Sequence, residues 1–455
     1  MERLPKSVDY STPLATMPDG CVNYLVSNTP INNSSFQPGS TIIVDLNNVP
    51  AFMDPASLSF RYKYTVTTPT LAAATGSSTG NIGIVGCPAY TPFLRCDILA
   101  NSAVVESINN YNSVATMLTN IGLSVAEKLG QQTSLGYSPN AGDTMDNQND
   151  TDGILIVPGA VNTATAASAT YANYVSAPLI GCSLAYAEKL VPLDYVNWRI
   201  QLTLDSLANI TSNLATDVPL ASYTITNFEI VYNQIQFPAT VHQQIKMTNP
   251  KIRIKTKSFG VGSQAIPSGS NGTINLYYNL RYASVRALFL LCAPSSTTYS
   301  ASKAMESVDP TSSATTSGVS TGGSIQFSCA GVVLPQNPLS TLNNKSGILN
   351  ELRRAMGSIY NKNNSMSIGG TEFAATGTTS QTIVVPGKFY VGVNCQKLTE
   401  SQDYMFTGIS SANSQINVII NTSTAVPTAL TSYLIANYDA IFEIDTLTKQ
   451  MNYIQ

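Results

Sequence analysis

Residues 222–232, SYTITNFEIVY, can be laid on residues 432–442, SYLIANYDAIF, without a gap. Ser, Tyr, Ile and Asn recur identically, Phe228 meets Tyr438, Glu229 meets Asp439, Val231 meets Ile441 and Tyr232 meets Phe442. A repeated run constrains a chain more than any composition does, because it implies two copies of one fold. Further echoes keep the same order. Residues 39–47, GSTIIVDLN, answer to residues 272–280, GTINLYYNL, and each is followed by an apolar stretch, SLSFRYKYTV and then SVRALFLLCA. ILIVPG at 154–159 answers to IVVPG at 383–387. The chain reads as a tandem duplication whose joint lies in FPATVHQQIKMTNP, residues 237–250.

Each half is predicted to be built of strands. Charged residues are only 11% of the 455, against roughly a quarter in ordinary soluble proteins, and Ser, Thr, Asn, Gly and Tyr take their place. Runs of β-branched and aromatic residues bounded by Pro, Gly and Asn clusters give eight candidates per half. In the first half they are CVNYLVSNT, STIIVDLN, SLSFRYKYTV, FLRCDIL, GILIVPG, LIGCSLAYAEKLVPL, WRIQLTL and YTITNFEIVY. In the second they are KIRIKTKSF, TINLYYNL, SVRALFLLCA, SIQFSCAGVVL, TIVVPG, KFYVGVNCQKL, QINVIIN and YDAIFEI. Eight strands is the count of a jelly roll.

One helix per half is expected after the fourth strand. Ile348, Leu349, Leu352, Ala355, Met356 and Ile359 form a stripe at helical period, and Val104, Ile108, Tyr111, Ala115 and Leu118 keep the same period in the first half. Both stripes read as core packing. The expected fold is all-β: an N-terminal arm over 1–20, a first jelly roll over 21–236, a connection over 237–250 and a second roll over 251–455, each roll with one inserted helix.

Two eight-stranded halves with a helix-bearing loop in each resemble the double jelly-roll major capsid proteins of double-stranded DNA viruses, including the virophage, polinton-like and adintovirus-like groups. The resemblance rests on the opening CVNYLVSNTPINNSSFQPGSTIIVDL, the helix VVESINNYNSV, the pair EKLVPLDYVNWRIQLTL and the closing YTITNFEIVYNQIQFPATVHQQI, and it covers nearly the whole chain. It implies a homotrimer whose six rolls form a pseudo-hexameric capsomer tiling an icosahedral shell. It also implies a place in the virion, contacts between capsomers, and minor capsid or penton proteins as partners. The polar stretches 70–83, 140–153, 162–174 and 295–324 are expected to be loops forming an outer tower or clasping neighbours.

Catalytic chemistry lacks its residues. His242 is the single histidine, in the joint, with no neighbouring Cys or His to complete a zinc site. The run 148–153, QNDTDG, puts Asp150, Asp152 and Gly153 near a calcium-loop pattern, but Gln148 stands at the first ligand position and Gly159 where the closing Glu belongs. No P-loop occurs, and Gly260 and Gly262 lack a third glycine and a following helix. No catalytic, cofactor or metal residue is therefore assigned. The rival classes are a double-cupin-like enzyme, which needs a His-rich metal set, and a carbohydrate- or receptor-binding β-sandwich, which would gather its aromatics in one exposed cluster. Seven widely spaced cysteines with no C-x-x-C read as buried reduced thiols of a protein made in a reducing compartment. The N-terminus shows no secretory signal, and the longest apolar run, residues 287–293, is far short of a bilayer span.

The row Lys251, Arg253, Lys255 and Lys257 remains. The net charge is −3, which argues against a sequence-specific nucleic-acid partner. If the first and last strands of a roll lie side by side, Ile252 and Ile254 share a core face with Ala440, Phe442 and Ile444. Lys251, Arg253 and Lys255 then face Asp439, Glu443 and Asp445 across the pair.

Overall fold

The computed structural model describes residues 20–67, 82–84, 87–136, 170–213, 222–295, 307–311, 322–342, 345–357, 366–368, 373, 388–397, 406–426 and 429–455. The first part contains the strands β1 (Val22–Asn28), β2 (Thr41–Asp45), β3 (Ser59–Thr67), β4 (Phe93–Ala100), β5 (Ala103–Asn109), β6 (Thr170–Pro178), β7 (Trp198–Leu204) and β8 (Ser222–Gln236). They form two antiparallel sheets, ordered β1-β8-β3-β6 and β2-β7-β4-β5. The second part contains β9 (Lys251–Ile266), β10 (Gly272–Tyr278), β11 (Val285–Pro294), β12 (Gly323–Cys329), β13 (Val332–Ser340), β14 (Val391–Asn394), β15 (Ile416–Thr422) and β16 (Leu430–Asp445). Its sheets are β9-β16-β11-β14 and β10-β15-β12-β13, with β17 (Met451–Ile454) added beside β16. Counted within each roll, the order 1-8-3-6 and 2-7-4-5 occurs twice. The fold is a double jelly roll.

The repeated run lies in the eighth strand of each roll, where Tyr223 pairs with Val66 and Tyr433 with Leu291 of the third strand. Both ladders slip at the shared asparagine. In the first roll the slip lies between Thr226 and Glu229, with Asn227 at φ 52°, and in the second it lies between Val285 and Ala287, opposite Asn437. The bulge thus keeps its height while moving to the partner strand. Beyond it, Glu229 stands opposite Arg61, and its counterpart Asp439 lies 3.5 Å from Arg286.

Three expectations are corrected. First, the fifth strand of the first roll is Ala103–Asn109, and the stripe assigned to one helix divides there. Val104 and Ile108 belong to β5, and α1 (Tyr111–Gly122) begins only after Asn110. Asn101 and Ser102, at φ 49° and 70°, make the two-residue turn that returns the chain along β4. Ala330 and Gly331 do the same between β12 and β13, so SIQFSCAGVVL is a hairpin and not one strand. The helices accordingly follow the fifth strand of each roll. Second, the sixth strand of the first roll is Thr170–Pro178, part of which was expected as loop. Third, LIGCSLAYAEKLVPL is an irregular strap, apart from the two-residue strand Val191–Pro192. Leu179, Cys182, Leu184 and Val191 are buried there without alternation, because the strap is covered on several sides.

In α1 every residue from Tyr111 to Ile121 is buried. In the second roll α3 (Lys345–Ala355) buries Ile348 and Leu352. Ile359, both VPG segments, the calcium-like run, residues 1–19 and most of the four polar stretches lie outside the described residues. The joint holds a polar helix, α2 (Ala239–Thr248), with no buried residue. All seven cysteines are free, six of them buried and Cys21 partly exposed. Among the described residues no helix is long and apolar enough to cross a membrane.

Candidate functional site

Among the described residues no group of three His, Cys, Asp or Glu could hold a metal ion. One set of polar side chains gathers where the two rolls meet. The apolar cluster that fills the first roll continues into Ile254, Phe442 and Ile444 of the second. The lower ends of β9 and β16 thus present their apolar face to the first roll, whereas Leu434 and Ala436, farther along β16, fill the second roll's own sandwich. Ile252 and Ile254 do share a face with Phe442 and Ile444, as the alternation predicts, but the core that they complete is common to both rolls.

The basic row sits on the opposite face. Lys251, Arg253 and Lys257 stand across from Asp445, Glu443 and Asp439. Glu443 receives Arg253 Nε at 2.6 Å and Lys251 Nζ at 3.6 Å, and hydrogen bonding from Arg253 holds its carboxyl below the usual range. Lys255 departs from the expected ladder: Ile441 is opposite it, and its ammonium lies 3.8 Å from Glu188 of the strap. Lys257 lies over the Tyr186 ring at 4.4 Å. Burial pushes its pKa down to about 8, with the Arg286 charge adding to the effect and Asp439 and Glu188 opposing it. The row is thus engaged by the protein itself.

The strap, residues 179–190, lines the free edge of β9. Glu188 N–H donates to the Lys255 carbonyl at 3.0 Å, and the Thr256 hydroxyl donates to the Ser183 carbonyl. This covers an edge that would otherwise invite another strand. Beneath the strap, Glu106 of β5 is 3% exposed and accepts from the Ser183 N–H at 2.9 Å and from its hydroxyl at 2.6 Å. Elsewhere along the seam, Asn120 of α1 donates to Tyr390 at 3.1 Å and accepts from Lys128 at 2.8 Å. His242 of α2 lies 2.9 Å from Asp194, and Lys449 donates to the Asp194 carbonyl at 3.0 Å. His242 is a packing residue between Phe52 and Tyr195.

The glycines of Gly260-Val261-Gly262 serve packing and not phosphate binding. A Cβ on Gly260 would fall 1.8 Å from the Tyr282 hydroxyl, and one on Gly262 would fall 3.0 Å from Tyr278. Among the open clefts, one of about 630 Å³ on the first roll is lined by Arg61, Asn227, Glu229 and Tyr174. Tyr174 is 65% exposed, but Tyr62 beneath it is 1% exposed, so the cleft offers one aromatic face and not a cluster. The basic row could be read from sequence. The strap, Glu106 and the Asn120 contact could not, because each joins segments far apart in the chain.

No family model and no curated protein matches this chain. Solved structures do. The Faustovirus major capsid protein superposes with a TM-score of 0.55 at 10% identity, covering 94% of this chain and 91% of its own. A chain of the Sputnik virophage gives 0.56 at 13%, covering 100% and 92%. The mavirus major capsid protein gives 0.51 at 12%, covering 100% and 95%. At these identities the likeness is one of fold, extending over both rolls and their connection.

Proposed function

We propose that the chain is the major structural subunit of an icosahedral viral shell. Residues 21–236 form its first roll, 237–250 the connection, 251–455 the second roll and 1–20 an N-terminal arm. The observation that carries this reading is the shared core. Two sandwiches of equal topology are fused through Trp198, Ile254, Phe442 and Ile444 into one two-lobed body. Three such bodies around an axis present six similar lobes, the geometry needed to tile a hexagonal net. The solved structures that match over both rolls include capsid proteins, which supports the same role.

The role is architectural, not enzymatic. Its partners are copies of itself and, at the vertices, minor capsid or penton proteins. The basic row, spent on Glu443 and the strap, is not a nucleic-acid clamp. Light scattering on the purified chain should report about three chains per particle, and electron microscopy should show hexagonal capsomers or shells. A stable monomer that forms no such assemblies would refute the proposal.

A further inference from the structure

We infer that Glu106 and the strap over it form a pH-responsive latch between the two rolls, closed in mild acid and loosened above neutrality. Glu106 and Ile108 point inward from β5 beside Cys96 and Ile98 of β4. Cys182 and Ser183 of the strap cover them. The strap in turn holds β9 of the second roll through Glu188 N–H and Thr256. Glu106 is therefore the floor on which this inter-roll contact rests.

No lysine or arginine among the described residues forms an ion pair with Glu106. The groups facing it are these. From β4, Asp97 is buried and bonded to Arg95 at 2.8 Å, and Cys96 lies beside the same pair of strands. From the strap, Ser183 is the donor. From the second roll come Tyr282, Tyr438 and Tyr453, each pushed up by burial first and by the charge of Glu106 next. A carboxylate in this place has an anion and three weakly acidic hydroxyls around it and no counter-ion. Burial pushes its pKa up to about 7, Ser183 opposing and Asp97 adding to the rise.

The direction follows from linkage. The closed state holds the Glu106 proton up to about pH 7, whereas an opened, solvated strap releases it near the ordinary glutamate value of about 4.3. Opening is thus promoted as pH rises between those values, roughly tenfold per pH unit, and levels off above the upper one. Protonated, the carboxyl fits its neighbours as a neutral hydrogen-bonding group. Ionised, it draws water under the strap and frees the edge of β9.

The test is hydrogen exchange of the full chain over residues 179–190, between pH 5.5 and 8.5, with each pH compared against Glu106→Gln. The opening constant of the native chain, corrected for intrinsic exchange, should rise roughly tenfold per unit to pH 7 and then flatten. That of E106Q should stay level. Every other ionisable group is common to both proteins, so its contribution cancels in the comparison. If E106Q does not fold, Ser183→Ala, which removes the hydroxyl donor that holds the Glu106 pKa down, should extend the rise to higher pH with larger amplitude. Parallel profiles in the native chain and its variant, or a rise confined to segments away from the strap, would overturn the latch. The capsomer reading does not depend on this result, because trimer formation is read separately by light scattering.

Discussion

The indole of Trp198 on β7 meets the ring of Phe442 on β16 edge to face, with centroids 5.3 Å apart. Neither side chain is more than 1% exposed, and they belong to different rolls. Trp198 is also the one tryptophan in the chain, so its fluorescence reports on the seam and nothing else. Phe442→Ala removes the partner ring and leaves a cavity between two sheets that cannot collapse independently. The expected cost is about 3–5 kcal/mol. It should appear as a lower denaturation midpoint and as red-shifted native emission, both absent from a control substitution at exposed Met247.

The seam also shows what the sequence makes legible. The duplication, the all-β class and the antiparallel partnership of β9 with β16 follow from alternation and repeated order, which are local properties. The pairing Arg253–Glu443 follows from them too, because register fixes which side chains share a face. Other parts depend on contacts between distant segments. Leu179, Cys182 and Leu184 look like strand residues because they are apolar, yet their burial comes from an irregular segment packing into the apolar cluster of the first roll. Val104 and Ile108, four residues apart, fit a helical period and equally a strand, in which Ile108 is buried and Val104 exposed. The Asn101–Ser102 turn, with both residues left-handed, decides between them. Glu106 carries no local sign of its role, since a lone Glu in a strand is ordinarily solvated.

The basic row yields a second prediction. Replacing Lys251 and Arg253 together by Gln removes the two cations on Glu443, both of them largely exposed. Stability should fall modestly at low ionic strength, and the difference should shrink in high salt. The Glu443 carboxyl lies below its ordinary range because of Arg253. Its contribution is therefore present above the unfolded-state value and lost as acid protonates it in the folded state. The gap between native and variant should close on acidification below about pH 4. Duplex DNA affinity should be the same for both proteins. A steep salt-dependent affinity that the variant lost would make the row a phosphate clamp.

The paired hairpins yield a third. Ser102 holds φ 70° without being glycine, a conformation that costs an ordinary residue of order 1 kcal/mol or more. Ser102→Gly should raise stability by a few tenths of a kcal/mol, because the extra freedom of the unfolded chain, about 0.4–1 kcal/mol, offsets most of the relieved strain. Ser102→Val, β-branched at the same φ, should lower it. If Gly and Val variants moved together, the turn between β4 and β5 would have another conformation.

The last prediction concerns Gly260. Tyr282 stacks on Tyr438 with centroids 3.8 Å apart and planes 6° apart, and its hydroxyl occupies the space above Gly260. A Cβ there would meet the hydroxyl oxygen at 1.8 Å and the adjoining ring carbon at 2.6 Å. The ring cannot slide away without losing the stack, and β9 cannot retreat because it is paired with β16 over its whole length from Lys251 to Ile266. Gly260→Ala should therefore destabilise the second roll by about 3 kcal/mol, at the upper end of overpacking costs. Tyr282→Ala alone removes a mostly buried ring and should also destabilise. In the double variant the clash has no second partner, so the two effects should fall well short of additive. Additivity within about 0.5 kcal/mol would mean that the glycine and the tyrosine do not touch, and the packing reason given for the Gly-Val-Gly run would be withdrawn.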